Sequence, residues 1–174
     1  MRAYSRLSVP AIAAVAALAF SGCGGDDGGN EADYVKTYET ACKAVNDEVA
    51  ALQKSVTDAA KAAGSDQTKI VPAMKSGMTK LFDTFGTQIK AMADADAPKE
   101  FEKFQDSVEK GSEQVQKGIT QVKSQIAKAN TPQQLGSVLQ NIQSLDFGSS
   151  EPLPKALGEK APSCKSLGGS STAS

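Results

Sequence analysis

From Tyr34 to Leu145 the apolar residues of this chain recur at steps of three and four, almost without a break. That spacing places them on one face of a helix, and no run alternates as a half-buried strand would. The first stretch carries Tyr34, Tyr38, Ala41, Val45, Val49, Leu52, Val56 and Ala59. Gly64 then marks a stop, and Ser65 or Asp66 the next cap. The second carries Val71, Met74, Met78, Leu81, Phe85, Ile89 and Met92, with Pro72 in its early turns, so that this helix either starts late or kinks there. Pro98 suits the first position of the third, which runs through Phe101, Phe104, Val108, Gly111, Val115, Ile119, Val122 and Ile126. Thr131-Pro132-Gln133-Gln134 reads as a capping box opening a fourth stretch, Leu135 to Leu145. The reading is all-α: an up-down-up-down four-helix bundle of three helices of about thirty residues and one of about fifteen.

The short fourth helix leaves part of a groove uncovered. The segment from Phe147 to Pro162, with Pro152, Pro154 and Pro162, is expected to pack along it. The organisation that follows is a helical domain over residues 34–167 and a small, polar, disordered tail over 168–174. Ahead of the domain, residues 24–33 (GGDDGGNEAD) are rich in glycine and acid and bury nothing, so 23–33 is expected to be a flexible spacer.

The N-terminus carries an address. Arg2 and Arg6 precede Leu7 to Phe20 (LSVPAIAAVAALAF), an apolar run too short to span a bilayer comfortably, and small residues follow. Residues 1–22 therefore read as a secretory signal. Ser21, Gly22 and Cys23 resemble the lipobox of bacterial lipoproteins, with Phe20 where that family usually has Leu. The resemblance covers the first 23 residues. It implies that Cys23 carries a diacylglyceryl group and becomes the new N-terminus, anchoring the domain to the extracytoplasmic face of the cell membrane. Two acyl chains give stable anchoring where one gives marginal binding.

In an exported chain the cysteine count implies one disulfide. Of three cysteines, Cys23 is the acylation candidate, which leaves Cys42 and Cys164 as an even pair. Their disulfide would close a loop of roughly 120 residues, worth about 5 kcal/mol in the chain-entropy model. The alternative is two separate buried thiols. The path expected for the C-terminal segment brings Cys164 onto the first helix near Cys42, with Cα atoms about 4.4–6.8 Å apart.

Composition bounds the function. Histidine and tryptophan are absent. Without His the chain lacks the commonest general base, the commonest metal ligand and every His-activated nucleophile. Past Arg2 and Arg6, the only arginines, 17 of the 19 basic residues remain as Lys against 20 acids, a balance of −3. A mildly acidic chain without arginine forks is a poor nucleic-acid binder. No motif for haem, a di-iron centre, calcium or a phosphate-cradling loop is present, and no cofactor is expected.

Three features carry weaker signals. Gly111 and Gly118 sit seven apart in the apolar stripe of the third helix, each at a cost of about 1 kcal/mol against Ala. Close helix approach accounts for them; a widened groove for an apolar ligand is the alternative. Met74, Met78 and Met92 offer thioethers for a soft metal, but with no His or Cys placed to help they read as core, and no metal site is assigned. Asp47, Glu48, Asp106, Glu109 and Glu113 are interleaved with Lys43, Lys103, Lys110 and Lys117, the pattern of a solvated face rather than a catalytic dyad. The expectation is a non-enzymatic, membrane-anchored envelope lipoprotein that binds another envelope protein. The alternative is a carrier of a lipid or other small apolar molecule, which requires a cavity above about 300 Å³ between helices.

Overall fold

The computed structural model describes residues 28–143 and 151–167. The signal segment, Cys23 and the 168–174 tail lie outside the described residues. The chain is an all-α bundle, and among the described residues there is no strand. Among the described residues the α-helices are, in order, α1 (Glu31–Ala63), α2 (Val71–Ala93), α3 (Glu102–Lys128), α4 (Pro132–Gln143), α5 (Lys155–Lys160) and α6 (Pro162–Leu167).

Local chemistry sets the boundaries. Asn30 Oδ1 accepts from the Ala32 and Asp33 N–H groups at 2.9 and 3.2 Å, and Glu31 and Asp33 place acid at the positive end of α1. Gly64, at φ 59°, ends the helix in a conformation that other residues adopt reluctantly. Asp66 Oδ1 accepts from Thr68 N–H and opens the 3₁₀ turn Gln67–Ile70, from which α2 starts with Pro72 at its second position. The forward half of the capping box forms, with Gln134 N–H donating to Thr131 Oγ1 at 3.2 Å, while Gln134 Oε1 reaches one residue further back and accepts from Asn130 N–H at 2.7 Å.

Three expectations need correction. The spacer assigned to residues 23–33 ends sooner, because Glu31 to Asp33 belong to α1 and Gly29 N–H donates to Ala97 O at 3.1 Å. The Asn30 cap is what draws those residues into the helix. Helix α2 has 23 residues rather than about thirty, because the 3₁₀ turn takes its expected start. Pro98 does not open α3: at ψ 155° it is extended and precedes the 3₁₀ turn Lys99–Phe101, so α3 begins at Glu102.

Helices α1, α2 and α3 pack in sequence as neighbours. Helix α4 covers the far end of α2 and α3, and α5 and α6 return to α1. The core is in two parts. A distal cluster joins Met78 and Phe82 of α2, Ile119, Val122 and Ile126 of α3, and Leu135 and Val138 of α4. A proximal cluster joins Tyr34, Tyr38 and Cys42 of α1 to Phe101, Leu157, Ala161 and Cys164.

Glycine allows close approach at two places in α2. A Cβ at Gly77 would meet Leu52 Cδ1 at 2.5 Å, and one at Gly86 would meet Gln116 Oε1 at 3.2 Å and Ile119 Cδ1 at 3.3 Å. Gln116 Nε2 donates to Gly86 O at 2.6 Å, which fastens α3 to α2 at that contact.

Candidate functional site

Cys42 and Cys164 form a disulfide with Cα atoms 5.0 Å apart and a sequence separation of 122. The C-terminal segment therefore lies on α1 at the height expected. Three residues on one face of α1 hold α6 there. Glu39 accepts from Ser163 N–H at 2.9 Å and from Ser163 Oγ–H at 2.6 Å. Cys42 makes the covalent link, and Asn46 Nδ2 donates to Ser163 O at 2.8 Å. Positions 39, 42 and 46 fall one turn apart, so a single helical stripe carries all three contacts.

The same proximal core cluster carries a buried polar knot. Gln105 is 3% exposed on the apolar face of α3. Its Oε1 accepts from the Tyr34 and Tyr38 hydroxyls, both at 3.0 Å. Its Nε2 donates to Met92 O and Ala93 O, both at 2.9 Å. Those carbonyls lie in the last turn of α2, where helical partners run out, and Met92 O also accepts from Ala95 N–H at 3.3 Å. One amide thus joins α1, α2 and α3 and satisfies each polar group it meets. Burial pushes both tyrosine hydroxyls to higher pKa, and for Tyr38 the bonded Tyr34 adds to the rise. Tyr34 also stacks on Phe101 with ring centroids 5.4 Å apart.

Between the two core clusters the packing opens into an apolar cavity of about 330 Å³. Tyr38 and Cys42 of α1, Phe85, Ile89 and Met92 of α2, and Phe104, Val108 and Val115 of α3 line it, with Leu153 and Cys164 closing the fourth side. Polar groups are few. Ser112 Oγ is committed to Glu109 O at 2.8 Å, and the Tyr38 hydroxyl to Gln105. Glu151, exposed, stands among the lining residues.

Of the two stripe glycines, Gly111 lines the cavity and is buried. Gly118, two turns on, is half-buried and does not line it, so the pair does not act together. The methionines divide as well: Met74 and Met78 pack in the distal cluster, while Met92 lines the cavity. Among the described residues no group of three or more Cys, Asp or Glu is placed to hold a metal ion. The interleaved charges form surface pairs such as Lys43–Asp47 and Lys110–Asp106. Among the described residues no helix is long and apolar enough to cross a membrane.

Sequence reasoning missed Gln105, Glu39 and Asn46. Spacing gives only their positions: Gln105 lies four residues after Phe101 inside the stripe, and Glu39 and Asn46 flank Cys42 at −3 and +4. Comparison with protein-family models, with curated proteins and with solved structures returned no match.

Proposed function

We propose that this chain is an exported lipoprotein, anchored through Cys23 to the extracytoplasmic face of the membrane, whose helical bundle takes up the hydrocarbon part of a small apolar molecule. The observation that carries the ligand reading is the cavity of about 330 Å³ between the two core clusters. Its volume falls in the range of small-molecule sites, about 300–1,000 Å³. Its lining is mostly aromatic, aliphatic and sulfur, and the Ser112 and Tyr38 hydroxyls beside it already have partners. A ligand carrying buried donors or acceptors would leave them unsatisfied there, at about 1–3 kcal/mol each. Hydrocarbon suffers no such loss. No step of chemistry is assigned, and the role is non-enzymatic.

The test uses decanol and native mass spectrometry on the full exported chain. A one-to-one adduct is expected, lost in Val108→Phe, which fills the cavity from α3. Bare protein at saturating decanol overturns the ligand reading. The anchor is tested separately: a fatty-acid analogue should label the wild-type chain in cells and not Cys23→Ala. Equal labelling of both overturns the anchor.

A second reading, an adaptor for another envelope protein, is favoured by a groove at the distal end. Leu52, Val56, Met74, Met78 and Leu139 line it, and Leu139 is 44% exposed. Leu139→Lys should release a bound partner in a pull-down from intact envelope. An unchanged set of captured proteins speaks against this reading.

A further inference from the structure

The cavity and its rim together define a class of ligand, and this inference rests on the apolar-ligand reading above. Its walls offer no free polar partner, so the polar end of any amphiphile held there stays outside. The charged side chain at the lining is Glu151, which is exposed. Among the described residues Glu151 has no ion-pair or hydrogen-bond partner; Lys155, four residues on, pairs with Glu159 instead. A lone carboxylate beside an apolar cavity repels an anionic head group and attracts a cationic one. We infer that the ligand is a cationic amphiphile: a hydrocarbon chain in the cavity and an ammonium-type head at Glu151.

Three chain-matched probes test this: decylamine, decanol and decanoate, titrated by calorimetry at low salt. The amine should bind about fivefold more tightly than decanoate, the factor expected of one exposed charge pair. That ratio should shrink as salt is raised. Glu151→Gln should abolish the preference, and Glu151→Lys should reverse it. Because Glu151 is exposed, melting temperature serves as the check that both variants fold. Equal binding of amine and decanoate to the wild type, or a preference that survives Glu151→Gln, overturns the inference and leaves the cavity reading intact. Failure of all three probes overturns the cavity reading itself.

Discussion

Glu39 and Ser163 are joined by two hydrogen bonds, one from the backbone N–H and one from the hydroxyl, across 124 residues of sequence. A side chain of α1 thereby supplies the cap that α6 lacks within its own sequence. Glu39→Ala removes both bonds and leaves Ser163 N–H without its partner. We expect a loss of about 1–2 kcal/mol, the range measured for N-cap removal. Chemical denaturation should show it, and hydrogen exchange should place the faster opening at α5 and α6.

The disulfide acts on the same seam. Cys164→Ser should cost about 2–5 kcal/mol. The loosening should begin after residue 151, since the buried apolar side chains among the described residues there are Leu157, Ala161 and Cys164 itself, while α1 to α3 keep their helicity. Hydrogen exchange resolved by peptide decides this. Uniform loss of protection across α1, α2 and α3 would show that the link holds the whole bundle and not its last segment.

Gln105 satisfies two hydroxyls and two carbonyls at once. Gln105→Ala should therefore cost about 3 kcal/mol or more, well above the typical single hydrogen bond. Adding Tyr34→Phe and Tyr38→Phe should recover part of that loss, because the stranded hydroxyls are then gone. Strict additivity in the corresponding mutant cycle would mean that the three side chains do not act together.

The same burial makes the fold sensitive to alkali. In the unfolded chain each tyrosine loses its proton near pH 10, whereas in the fold desolvation holds the proton to higher pH. Above pH 10 the folded state binds more protons than the unfolded one, so stability falls as pH rises. The slope is up to about 1.4 kcal/mol per pH unit for each tyrosine. Below that pH the two hydroxyls add no pH dependence. Urea melts across this range should show the fall, and Tyr38→Phe should flatten it; an unchanged slope in that variant would locate the effect elsewhere.

Much of this architecture is legible in the chain because helical periodicity reports burial directly. Val115, Ile119, Val122 and Ile126 were placed by spacing alone, and all four are core. Thr131 and Gln134 announce their cap, and Cys42 and Cys164 are legible because a leftover even pair has one pairing. Gln105 was not legible, because spacing places it on the stripe without saying which carbonyls end beside it. Glu39 and Asn46 were lost for a similar reason: their partner, Ser163, arrives from the far end of the chain. The cavity was half legible. Gly111 marks it, but Gly118 carries the same signature and lies elsewhere, since a glycine in a stripe records missing bulk and not what fills the space.

The link between Cys42 and Cys164 also makes most of the molecule a covalent ring. The turn at Gly64 to Asp66, exposed and without helical protection, lies inside that ring. A protease that cuts there severs the backbone without parting the pieces, and both fragments stay joined until a reductant is added. A molecule of this build outlasts its first nick.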